Sequence, residues 1–77
     1  MNKQRREQLF GIVEKLEVLK EELEELKEEE RECFENLPDV LKCCVKGQQC
    51  KENADDLENI CDDIGSIIDT IRIVFED

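Results

Sequence analysis

Cysteines are the most reactive side chains in this 77-residue sequence, and four of the five, Cys33, Cys43, Cys44 and Cys50, fall around its centre, with Cys61 further on. Four thiolates can hold zinc tetrahedrally. The intervals of nine, zero and five residues between the central four, however, lack the Cys-x-x-Cys knuckles of zinc sites. No metal centre and no cofactor is expected, and the cysteines are read as free thiols acting as small hydrophobes. Nucleophilic catalysis by a thiol lacks its usual base, because the chain contains no His. Carboxylates come in neighbouring pairs, Asp55-Asp56 and Asp62-Asp63. Glycosidase or di-metal chemistry would need such groups inside a pocket or bundle core. No catalytic residue is expected, and the chain is read as not an enzyme.

The elements that carry these residues follow from apolar spacing. Leu9, Ile12, Leu16, Leu19, Leu23, Leu26, Glu30, Cys33 and Leu37 form a 3-4 repeat whose one polar member is Glu30, the pattern of a helix packed in coiled-coil fashion. Glu30 is read as a polar residue that sets register, paired with Lys27 or Lys51 or reaching water. A first helix is expected over about residues 3–36. Cys50, Ala54, Leu57, Cys61, Ile64, Ile68, Ile71 and Phe75 repeat the pattern and predict a second helix over about 47–75. Between them Pro38 breaks the first helix, since it lacks an N–H and disfavours helical geometry before it. A short helical turn fits within a corner at 37–46, with Gly47 punctuating its far end.

The expected fold is therefore all-α: a single domain, 1–77, folded as an antiparallel two-helix hairpin. In that register Leu9 faces Phe75, Ile12 faces Ile71, Leu19 faces Ile64, Leu26 faces Leu57 and Cys33 faces Cys50, while Arg5 and Arg6 come beside Glu76 and Asp77. A Cys33–Cys50 disulfide is not expected, because packed helix axes lie ~8–10 Å apart and a bridge needs Cα atoms within ~7 Å.

Composition bounds the rest. One small core of this length yields only ~3–5 kcal/mol of net stability, so a further source of stability is expected. Ile60, Ile67 and Val74 add a third apolar column on the second helix, and Phe10 and Val13 widen the stripe on the first, more than one partner helix can cover. These five residues are the candidates for self-association, as a homodimer forming a four-helix bundle.

A formal charge of −11 opposes direct binding to nucleic-acid phosphates and to an anionic membrane surface. Apolar runs of two or three residues cannot span a bilayer. Met1 to Arg6 leads into an amphipathic pattern, unlike the apolar core of a secretory signal, and a cytoplasmic location is expected.

The corner "ECFENLPDVLKCCVKGQQ", residues 32–49, resembles that of a group of small phage and prophage helical-hairpin proteins. These have a Glu/Lys-rich first helix, an aromatic-Asp-Asn-Leu-Pro-Glu-Ser-Leu corner, a Ser-x-Arg-Gly step and a second helix rich in Ile, Asp and Glu. Phe34, Asn36, Leu37, Pro38, Leu41 and Gly47 match as they stand, and Asp39 and Lys46 match conservatively. The sequence departs from the pattern at Cys44, Val45 and Gln48. The resemblance implies a helical hairpin from a bacterial virus or integrated element, hence a bacterial host cell, and brings no activity with it.

Function is expected through self-association and protein–protein contact. An alternative is a counter-defence inhibitor imitating nucleic acid, whose candidate contacts to a basic host protein are Glu21, Glu24, Glu25, Glu28, Glu29 and Glu32. Against this, Glu is a strong helix former that keeps a surface soluble and pairs with Lys or Arg one turn away. A sponge for a nucleotide signal is disfavoured, since few cations are present to hold phosphate.

Overall fold

A computed structural model describes residues 1–76. Its elements are α1 (Lys3–Glu35), α2 (Asp39–Lys42) and α3 (Val45–Glu76), with no strand among the described residues. The two long helices pack against each other as an antiparallel hairpin, 59 Å along its longest axis. Asn2 starts α1: its side-chain Oδ1 accepts the Arg5 backbone N–H at 2.9 Å, satisfying one of the free donors of the first turn. At the other end Asn36 closes the helix, its N–H donating to Glu32 O at 2.9 Å. Pro38 then takes extended geometry and its carbonyl accepts from Leu41 and Lys42, which makes the single turn of α2.

The second long helix begins at Val45, so Gly47 lies inside its first turn and does not punctuate the corner. Gly47 is buried because α2 lies directly over it. A Cβ there would sit 2.5 Å from Leu41 O and 2.6 Å from Lys42 O. The requirement for glycine is close approach, not backbone conformation, since no described residue has positive φ.

On α3 the interior stripe runs through Gly47, Cys50, Ala54, Leu57, Cys61, Ile64, Ile68, Ile71 and Phe75, all buried or half-buried, as the spacing predicts. On α1 it differs from expectation. The covered positions are Leu9, Val13, Leu16, Lys20, Leu23, Lys27, Glu30, Phe34 and Leu37, a 4-3 repeat, whereas Ile12, Leu19, Leu26 and Cys33 are exposed. Matching the two covered stripes gives pairs whose numbers add to 84, with Val13 level with Ile71, Lys20 with Ile64, Lys27 with Leu57 and Phe34 with Cys50, a register that agrees with Phe10 against Phe75 and Lys20 over Gly65. Helix α1 is thus turned about its axis by roughly half the angular step between neighbouring residues, ~100°. One column of the expected seam leaves the interface and its neighbour enters.

Two features make the turn physically acceptable. Lysine can lay its aliphatic stem over apolar surface and keep its ammonium in water. Lys27 does so with a side chain only 17% exposed, its Nζ 3.8 Å from Glu28, and Lys20 places its Nζ 4.0 Å from Glu24. Meanwhile Phe34 enters the corner, with the Lys42 ammonium 5.6 Å from its ring centroid. Among the described residues the buried apolar side chains are few: Val13, Ala54, Cys61 and Ile68.

Candidate functional site

The turn of α1 gives the hairpin two unlike flanks. One carries ion pairs. Glu17 accepts from Arg72 across the seam, and Arg31 Nη2 donates to Glu58 Oε2 at 2.6 Å. Arg31 also lies 3.9 Å from Glu28 within its own helix. The Lys20 ammonium covers Gly65 on the same flank, where a Cβ would approach it to 3.3 Å.

The opposite flank is apolar. Residues seven apart share one face of a helix in a coiled-coil-like hairpin, so Ile12, Leu19 and Leu26 form one column and Ile60, Ile67 and Val74 another. Leu26 and Ile60 line one groove of about 350 Å³ together with Leu57, Glu29, Glu30, Asn53 and Asp56, which places the two columns side by side. Leu19 stands level with Ile67 and Ile12 with Val74. All six side chains are between 43% and 50% exposed. Cys33 and Asn53, both exposed, continue the columns toward the corner.

The residues expected to mediate self-association divide accordingly. Ile60, Ile67 and Val74 stand in the apolar flank. Val13 does not: it is 2% exposed and belongs to the hairpin's own core, because the turn of α1 carried it into the seam. Phe10 is 53% exposed but shares an i, i+7 column with Glu17, Glu24 and Arg31, on the ion-paired flank. Its ring meets Phe75 edge-on, with centroids 6.3 Å apart. Ile12, Leu19 and Leu26 were assigned by their spacing to the interior and are instead half the exposed face. A sequence signal existed, since either column beside Leu9, Leu16 and Leu23 could complete a seam once lysine stems are admitted to it.

Of the candidate acidic contacts, Glu21, Glu24, Glu25, Glu28 and Glu29 border one open depression on α1 together with Lys27. Glu24 is half-buried beside Lys20, and Glu28 lies near both Lys27 and Arg31. Glu21, Glu25, Glu29 and Glu32 are exposed, with Glu29 bordering the apolar groove. Glu28 pairs with Arg31 one turn away, while Glu17 reaches across the seam to Arg72. Of the expected meeting of Arg5 and Arg6 with Glu76 and Asp77, no ion pair to Glu76 forms among the described residues, and Asp77 lies outside them.

The five cysteines are unbridged, and Cys33 and Cys43 are exposed. Cys44 Sγ donates to Leu41 O at 2.8 Å, a local cap of the corner. Among the described residues no three His, Cys, Asp or Glu side chains come together in a way that could hold a metal ion. Among the described residues no helix is long and apolar enough to cross a membrane. Compared with protein-family models, curated proteins and solved structures, the chain matches none.

Proposed function

We propose that the protein is a non-enzymatic interaction module of a phage or mobile element whose apolar flank binds a second copy of the chain, so that two hairpins form a four-helix bundle. One observation carries this reading. The hairpin buries the stems of Lys20 and Lys27 in its seam and leaves Ile12, Leu19 and Leu26 beside Ile60, Ile67 and Val74 in water. A chain that folded only for itself would gain more from the reverse arrangement, at ~25 cal/mol per Å² of apolar surface.

The exposed face is also of the size a stable pair needs. From Ile12 to Cys33 it runs about 30 Å, and two helices make it about 20 Å wide, on the order of 600 Å² per chain. Two such faces reach the ~1,200 Å² at which specific interfaces begin. In a bundle, Leu9, Ile12, Leu16, Leu19, Leu23 and Leu26 all face the common centre, so the 3-4 repeat of the first helix becomes the core stripe of the dimer.

Sedimentation equilibrium tests the reading. The wild-type chain is expected as a dimer and Leu19→Lys as a monomer of unchanged helicity by circular dichroism. A wild-type monomer, or a dimer indifferent to the substitution, contradicts it. A basic host protein remains the second reading, favoured by the outward carboxylates Glu21, Glu25 and Glu32. Its test is capture from a bacterial host at low and high salt, where a partner held only at low salt supports it.

A further inference from the structure

Resting on the dimer reading, we infer that the second copy docks antiparallel, with the two corners at opposite ends of the bundle and the twofold axis passing at the level of Leu19 and Ile67. Two face-to-face arrangements satisfy the apolar columns equally. In the parallel one α1 lies against α3 of the second copy, and Leu19 meets Ile67, Leu26 meets Ile60 and Ile12 meets Val74. In the antiparallel one α1 lies against α1 and α3 against α3. Leu19 and Ile67 then each meet their own copies, Ile12 meets Leu26, and Ile60 meets Val74. Hydrophobic burial does not choose between them.

The polar residues that edge the flank do. One step outward from the apolar columns, the i, i+7 repeat places Gln8, Lys15, Glu22 and Glu29 on α1, and Asp56, Asp63 and Thr70 on α3; all are exposed. In the parallel pair Glu22 falls level with Asp63 of the second copy, and Glu29 with Asp56. Counted over both sides, this sets four carboxylates against four others at the interface edge, and like charges so placed repel.

In the antiparallel pair Lys15 falls level with Glu22 of the second copy, twice by symmetry. Glu29 comes beside Gln8, and Asp63 beside Thr70, so both carboxylates of the α1 edge column, Glu22 and Glu29, meet a cation or an amide. Rim charges of this kind fix orientation and register more than they add affinity.

The consequence is a rod whose ends are alike. Helix α1 ends at Glu35, about 16 residues beyond the axis, so the corner ends of its two copies stand roughly 50 Å apart at ~1.5 Å per residue. Each presents Val40 and Val45, both 84% exposed.

A charge-swap cycle on the full-length chain, read as the dimer dissociation constant by sedimentation, decides the orientation. Glu22→Lys sets lysine against Lys15 in the antiparallel pair and is expected to weaken the dimer about tenfold at low salt, an effect of two such contacts. Lys15→Glu weakens it similarly, and the double substitution restores wild-type affinity. In the parallel pair Glu22→Lys instead removes repulsion from Asp63 and tightens the dimer. Tightening, no change, or failure of the double variant to recover overturns the antiparallel assignment while leaving self-association intact. A wild-type chain that is monomeric overturns self-association itself. Circular dichroism of each variant verifies that the exposed substitutions leave the helices formed.

Discussion

On one flank of the hairpin Glu17 reaches Arg72 and Arg31 reaches Glu58; on the other Ile12, Leu19 and Leu26 stand beside Val74, Ile67 and Ile60, half in water. Both flanks are made by the same two helices and border the same seam. The first is complete within one chain, since charges there find their partners across the hairpin. The second is mainly apolar, and the charges lining its groove, Glu29, Glu30 and Asp56, are all carboxylates that cannot pair with one another across it. Ion pairs at a wet edge are worth little, with a median of about 0–1 kcal/mol, whereas burying one branched side chain is worth ~1.5–3 kcal/mol. The apolar flank therefore holds most of the free energy that the single hairpin leaves unused.

Substitutions can break this contrast, beginning with the neighbours Ile67 and Ile68. Ile68 is 4% exposed in the hairpin core, and Ile67 is 50% exposed on the flank. Ile68→Ala is expected to cost about 2–5 kcal/mol, the range for emptying a core position. Thermal unfolding should show it at every protein concentration, whereas loss from Ile67→Ala should appear only where the wild-type chain is dimeric. Equal losses from both at high dilution would mean that the two sites are not as different as the fold implies.

Leu19→Lys should weaken the dimer by at least about 100-fold, since both copies lose a buried leucine. Sedimentation measures the loss, and unchanged helix content shows that the hairpin does not depend on Leu19. At the corner, Gly47→Ala has no room for its methyl beneath α2 and should destabilise the chain by about 1–3 kcal/mol. Denaturant unfolding checks this, and an α2 able to lift away at no cost would show a smaller value. The smallest effect belongs to the ion-paired flank, where Arg72→Ala should cost under about 1 kcal/mol and vanish in high salt.

Much of this architecture is legible in the letters. Pro38 and the two apolar repeats are enough for a helix, a corner and a second antiparallel helix, and the stripe of α3 was readable position by position. The stripe of α1 was not, because two columns compete to sit beside Leu9, Leu16 and Leu23. Ile12, Leu19 and Leu26 win on hydropathy alone. Val13, Lys20, Lys27 and Phe34 win in the folded hairpin because lysine stems are apolar and their heads reach Glu24 and Glu28.

Of the candidate residues, Ile60, Ile67 and Val74 are surplus to the seam in the letters and stand exposed beside it in the fold, while Val13 is drawn into the seam by the rotation that exposed Leu19. Gly47 shows a different limit. A glycine near a corner reads as a helix stop, and only three-dimensional closeness to Leu41 and Lys42 reveals that it is needed inside the helix.

The most direct test is the solution mass of the wild-type chain. Sedimentation equilibrium at about 100 µM, where any dimer with a micromolar or tighter dissociation constant is nearly complete, should give about 18 kDa, twice the 9.1 kDa of one chain. A single species at 9.1 kDa at that concentration would mean that Ile12, Leu19, Leu26, Ile60, Ile67 and Val74 face water in the finished molecule, and the account of the apolar flank would fail.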